Sequence, residues 1–248
     1  NSSGVQEINK FLDIIEKKDD LRVLAFTGEG ENVFIRHYEV GELADSAEKN
    51  IESNKETKDP KELHAFHRML LRLRELDAIV VAGINGNTAG GGCEFSLGCD
   101  LRVMSDGDFF IGLPETSVGI LPGGGGTQRL SRLIGSSRAL DLILHAKLLN
   151  PLEAYNLGII NKLLTEEKFK EELDEYCEDL VNRAPIALSQ VKKIIHQGLE
   201  MTLEDSLLLE QKAFDVTMNS KDAARAMRSL LNAQENIENE IKFKWEGE

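Results

Sequence analysis

The chain has 248 residues, 41% of them hydrophobic, which is enough to bury a sizeable core; no run approaches the roughly 18 consecutive apolar residues of a membrane span. Its 43 acidic residues outnumber 29 basic ones for a formal charge of −14, a field that repels phosphate backbones and argues against nucleic-acid binding. Any other anionic ligand would need local cations to overcome that field.

Apolar residues at Val5, Ile8, Phe11, Leu12 and Ile15 follow a helical period, with Ser2 or Ser3 as N-cap. A buried strand over Leu21 to Phe26 follows and ends at the turn cluster Thr27-Gly28-Glu29-Gly30, after which Val33 to Tyr38 reads as extended. Residues 44–62 are polar and charged, a solvated helix or a mobile loop. Leu63 to Leu76 has a helical pattern, and Ala78 to Ile84 is a β-rich run with the continuous hydrophobicity of a strand buried on both faces. The chain turns at Asn85-Gly86. Gly90-Gly91-Gly92 opens a helix running through Cys99, strands follow at Leu101 to Met104 and Phe109 to Leu113, and Gly123 to Gly126 starts a helix carrying Gln128, Arg129 and Arg132. Beyond Pro151 nearly everything except Gly158 to Leu164 reads as helix, closing with Pro185 to Leu199, Leu203 to Met218 and Ala223 to Ile241. With no sheet left for these last helices to cover, another subunit is the natural surface for their apolar stripes.

The three cysteines, Cys93, Cys99 and Cys177, have no metal-ligand spacing, and their odd number points to reduced thiols and a cytoplasmic protein. His64 and His67 lie three apart on a helix without a third ligand, which reads as solvated surface. The glycine runs are not P-loops, since no Gly-Lys-Ser/Thr ends either one, and neither follows the dinucleotide spacing. A glycine triplet before a helix places N–H groups at the positive end of its dipole, although taken alone it is more often a close-packing device. Two glutamates give it chemical interest. Glu94 stands in an otherwise apolar helical turn, where a carboxylate is costly to bury unpartnered, and Glu115 follows a strand end and Pro114.

Ala-Gly-Gly-Gly-Cys-Glu (89–94), Cys-Asp (99–100), Pro114-Glu115, Gly119, Pro122-Gly123 and Gly-Gly-Thr-Gln-Arg-Leu (125–130) together resemble the crotonase family of enoyl-CoA hydratases and isomerases. The resemblance runs from Asn1 to about Ile160 and weakens through the helical tail. It implies an α/β fold, a spiral of ββα units over residues 1–182, followed by a C-terminal helical trimerisation region over 183–248. It further implies a homotrimer or dimer of trimers acting on an acyl-CoA, with coenzyme A as part of the substrate and no separate cofactor or metal. Carried over, the N–H groups of Gly91 and Tyr38 form an oxyanion hole. Glu94 acts as base toward water, Glu115 as acid toward C2, and Gly123 leaves room for that water, with Gly90 beside the substrate. Having both glutamates favours a hydratase over a one-base isomerase. A hydrolase of the same family, or a subunit that binds acyl thioesters without turning them over, are the alternatives.

The sequence departs from the family's pattern in the oxyanion loop. Where relatives carry small residues and glycine, this chain reads Phe34-Ile35-Arg36-His37-Tyr38-Glu39. His37 in a glycine position strains the backbone if its φ is positive, and the Tyr38 side chain takes space that the family gives to substrate, predicting a short or planar acyl group. Asn32 and Gly41 stand where many relatives place lysines for the CoA phosphates, leaving Arg36 and His37 as the local cations. The strand pair that precedes the first helix in the family has no counterpart here, which reads as an omitted N-terminus.

Overall fold

A computed structural model of the chain describes residues 1–30, 32–56, 59–233 and 243–248. Helix α1 (Ser2–Ile15) buries Val5, Leu12 and Ile15, and its cap is Asn1, whose side chain accepts the Gly4 N–H at 2.8 Å; Ser2 and Ser3 are already helical. Strand β1 (Val23–Thr27) follows, then α2 (Val40–Glu52), which has no buried residue and resolves the polar stretch partly into a solvated helix. Helix α3 (Ala65–Glu75) leads into β2 (Ile79–Ile84), β3 (Thr88–Ala89) and α4 (Gly91–Leu97). Strands β4 (Leu101–Ser105) and β5 (Ile111–Gly112) precede a short 3-10 helix, Glu115–Val118. The chain continues through α5 (Gly126–Ile134), α6 (Ser136–Leu144), β6 (Leu148–Leu149), α7 (Pro151–Asn156) and β7 (Lys162–Leu164). Helices α8 (Phe169–Val181), α9 (Pro185–Gly198), α10 (Leu203–Met218) and α11 (Lys221–Ala233) follow.

The strands divide between two sheets. One is parallel, in the order β1-β2-β4-β7; the other joins β3 and β5 in parallel with β6 antiparallel. Each of β2-β3-α4 and β4-β5-α5 therefore places one strand in each sheet before a helix, the ββα spiral expected from the sequence. Every residue of β2 is buried, because alternate side chains enter different cores. Val80, Ala82 and Ile84 join Leu12, Met69, Leu73 and Phe95 on one side, whereas Ile79 and Val81 meet Val103, Leu164 and Leu173 on the other.

Several boundaries differ from the sequence reading. Val33 to Tyr38 forms only one bridge, Val33 with Asn87, and is otherwise a loop pinned by single hydrogen bonds. The strand expected over Phe109 to Leu113 shortens to Ile111–Gly112, and α5 starts at Gly126 instead of Gly123, because Gly125 takes a φ of +104° that ends helical geometry before it. Of the helix expected over Ala223 to Ile241, residues 234–242 lie outside the described residues.

Asp100 fastens α9 to the sheet. Its carboxylate accepts the Val80 N–H at 2.7 Å, Lys192 Nζ at 2.8 Å and His196 Nε2 at 2.8 Å, and Lys192 also donates to the carbonyls of Leu73 and Ala78. Burial pushes the Lys192 ammonium down from its usual range while the Asp100 carboxylate opposes that. Farther on, α10 leaves Leu203, Leu207, Leu208 and Phe214 exposed. No helix among the described residues is long and apolar enough to cross a membrane.

Candidate active site

The loop before α2 is stitched to the β3–α4 turn. Thr88 Oγ1 donates to the Ile35 carbonyl at 2.8 Å, and the Ala89 N–H to the Arg36 carbonyl at 2.8 Å. Gly90 turns the chain with φ +50° and ψ −125°, a conformation that a side chain would strain. At Gly92 an ideal Cβ would overlap the Ile35 carbonyl oxygen, so the triplet is indeed a close-packing device. The approach is as close at Gly91, where a Cβ would lie 3.1 Å from the Tyr38 nitrogen, so the backbones at 38 and 91 meet across the turn. Among the described residues neither N–H has a hydrogen-bond acceptor. At the other end of α4, the buried Arg102 guanidinium holds the carbonyls of Cys99 at 2.8 Å and Ser96 at 3.3 Å.

Glu94 points from α4 to the start of α5. It is 4% exposed, and its Oε1 accepts the N–H groups of Gly124 at 2.7 Å and Gly126 at 2.8 Å. Gly124 must be glycine, since an added Cβ would strike both the Glu94 carboxylate and the Phe66 ring. Burial pushes the Glu94 carboxyl up from its ordinary value, against the two N–H donors and the Arg129 guanidinium.

Glu115 has a different environment. Its Oε2 is buried without a hydrogen-bond partner, and Oε1 lies 3.1 Å from where a Gly90 Cβ would stand. Burial, reinforced by the Glu94 charge, pushes its carboxyl up to about 7, with its own backbone N–H opposing. The pair thus combines one carboxylate cradled by donors and one poised to carry a proton near neutrality.

Tyr38, Gly91, Glu94, Glu115 and Gly123 all line one cavity of about 690 Å³. Gly90 is buried and Arg36 and His37 are exposed, and none of the three lines it. His37 is not strained: among the described residues only Asn54 and Ala146 are non-glycine positions with positive φ. The Tyr38 phenol is held by Ser2 Oγ at 2.9 Å, which in turn donates to Glu42 at 2.7 Å.

The reading of His64 and His67 as solvated surface holds for His64, which is exposed, and needs correction for His67. Both line the cavity, and His67 is half-buried against the turn at Gly123 to Gly125. The signal for His67 was present, since it stands three and six residues before Leu70 and Leu73, which are fully buried. Burial, then the charges of Arg129 and His64, pull the His67 imidazole below its ordinary range. No group of three or more His, Cys, Asp or Glu among the described residues is placed to hold a metal ion.

Residues 1–242 match the enoyl-CoA hydratase/isomerase family model. The chain is 31% identical over 235 residues to the short-chain-enoyl-CoA hydratase of Clostridium acetobutylicum, covering 93% of this chain and 85% of that protein. It is 27% identical over 232 residues to the crotonyl-CoA hydratase of Syntrophomonas wolfei, with 93% and 85% covered. Among solved structures, the enoyl-CoA hydratase of Bacillus anthracis superposes with a TM-score of 0.85 at 27% identity, covering all of this chain and 90% of that one. With this match along nearly its whole length and the same fold, the chain belongs to the enoyl-CoA hydratase/isomerase family, the crotonases.

Proposed function

We propose that this enzyme adds water to a short 2-enoyl-CoA thioester. The observation that carries the reading is the unlike pair of glutamates on one cavity: Glu94 held by two N–H donors, Glu115 with a buried oxygen that has none. In this reaction Glu94 takes a proton from water as the oxygen bonds to C3, and neutral Glu115 gives a proton to C2. The charge that builds on the thioester oxygen falls between the N–H groups of Gly91 and Tyr38, which are already in place and need no reorganisation. Gly123 leaves open space for the water. The chemistry asks for no cofactor beyond the coenzyme A of the substrate, because two carboxylates and two donors supply every proton and charge required. Arg36 and His37, exposed beside the loop, offer cations to the CoA phosphates. The names of the short-chain and crotonyl relatives, with the Tyr38 ring in the cavity wall, support a short acyl group.

Purified enzyme mixed with crotonyl-CoA is expected to abolish the enoyl thioester absorbance. Release of free thiol instead would establish a hydrolase, and a double bond moved without uptake of water an isomerase. The pH dependence has a definite sign. Hydration needs Glu115 protonated, so kcat/KM falls as pH rises through about 7, and it falls again on the acid side as Glu94 gains its proton. A profile flat from pH 5 to 9 would remove both carboxyls from the mechanism.

Residues 183–248 serve oligomerisation in this reading, with the exposed apolar side chains of α10 covered in a homotrimer or dimer of trimers. Light scattering is expected to give three or six chains, and a monomer at micromolar concentration would overturn that assignment. The three free cysteines fit the reducing cytoplasm.

A further inference from the structure

The cradle around Glu94 has a second side. Arg129 enters from α5 and its Nη1 donates to the Gly124 carbonyl at 3.1 Å, on the peptide chain whose N–H groups at Gly124 and Gly126 hold the carboxylate. An ideal Cβ on Gly125 would overlap that same nitrogen, so the guanidinium occupies the space this glycine leaves. Arg129 therefore closes the turn from its carbonyl side while setting a positive charge near Glu94. The charge is itself largely withdrawn from water, which lets it act over a short range with little screening.

Glu115 has no equivalent. Among the described residues the charge that bears on it is the repulsive one of Glu94, and its Oε2 has no donor. The other groups around Glu94 do not replace Arg129. Cys93 beside it on α4 is a buried thiol pushed far toward its neutral form, and Arg74 on α3 is paired with Glu200. His67 on α3, pressed between burial and the Arg129 charge, favours its neutral form. Arg132 on α5 is turned to Gln128.

We propose that Arg129 is the positioning residue that gives the two glutamates their unlike roles, keeping Glu94 charged in its cradle so that the one proton of the pair resides on Glu115. The proposal rests on the hydratase reading for its kinetic consequence and on the geometry of the turn for the rest.

Three variants separate charge from shape. Arg129→Lys keeps the charge; Arg129→Gln and Arg129→Met remove it, the former retaining a donor for the Gly124 carbonyl. Removing the cation favours the protonated Glu94, so the acid limb of the kcat/KM profile is expected to move up by about one pH unit or more in the two neutral variants. In Arg129→Lys it is expected to stay near the wild-type position. At pH 6 the neutral variants lose kcat rather than gain KM, because binding of the thioester does not use this carboxylate. Matching circular dichroism and melting curves check that each variant folds. If wild type hydrates crotonyl-CoA but all three variants share one acid limb, the Arg129 proposal fails and the hydratase reading stands. Carbon-13 titration of the Glu94 carboxyl, assigned with Glu94→Gln, requires no substrate. It is expected to show the same upward shift in the neutral variants even if wild type proves not to hydrate enoyl-CoA, and an unmoved Glu94 titration would overturn the role of Arg129 regardless of the reaction.

Discussion

Replacing Glu115 by Gln is expected to lower kcat for crotonyl-CoA hydration by about 10³-fold with KM little changed, since the proposed proton donor is lost while the thioester contacts remain. Glu94→Gln is expected to cost a similar factor, for loss of the proposed base. The double variant should fall well short of the product of the two losses, because water activation and protonation of C2 belong to one reaction and either defect alone stalls it. Initial rates with crotonyl-CoA measure all three, and near wild-type turnover by either single variant would remove that residue from the chemistry. A second signature distinguishes Glu115 from an ordinary surface acid. Its folded-state carboxyl is raised to about 7, so the stability it contributes is complete below the unfolded value and is lost as pH rises through about 7. Glu115→Gln removes that loss. The variant is therefore expected to melt above wild type at pH 8 and to converge with it toward pH 5, the opposite ordering to its activity.

The glutamates were legible in the sequence because a carboxylate in an apolar helical turn is anomalous on its own, and the spacing of the glycine motifs then named the family. The main strand, Ile79–Ile84, was equally plain from its unbroken hydrophobicity. What escaped were features that depend on atoms meeting across long sequence separations. The cradle of Glu94 is made by main-chain N–H groups at Gly124 and Gly126, which carry no side-chain signature, and they are free to donate because α5 begins at Gly126. His67 read as surface because no third ligand is spaced to join it and His64, yet the turn at Gly123 to Gly125 lies against its ring. Val33 to Tyr38 had strand composition but makes one bridge, because its carbonyls at Ile35 and Arg36 are used to hold the β3–α4 turn.

Asp100→Ala is expected to have the largest effect on stability. The substitution leaves the Lys192 ammonium, whose side chain is 2% exposed, without its counter-charge, and leaves the Val80 N–H at the start of the sheet without its side-chain acceptor. Breaking a buried pair from one side costs about 3–5 kcal/mol, whereas removing both charges together costs much less. For a chain of this size the single variant is expected to melt about 10 °C or more below wild type. Asp100→Leu combined with Lys192→Met should recover a large part of that loss. Urea unfolding of the two variants side by side tests the claim, and equal destabilisation would show that Asp100 acts through packing instead of charge. His196, which shares the carboxylate, adds a readout, since its imidazole resonances should move in Asp100→Ala as its 2.8 Å contact is lost.

The proposed oxyanion donors at positions 38 and 91 are main-chain atoms, and this divides the site into two kinds of position under mutation. At 38 the chain supplies only a peptide nitrogen, so the side chain there is free to change, and tyrosine in a family that usually has small residues is one outcome of that freedom. At 91 and 92 the opposing backbone lies so close that any side chain would push the loop away. Side-chain changes on the loop side of the cavity can therefore alter its shape without moving the proposed donors, while sterics alone leave no room for a side chain on the glycine side. A library randomised at position 38, with proline left out, would explore new acyl groups with the proposed donors intact.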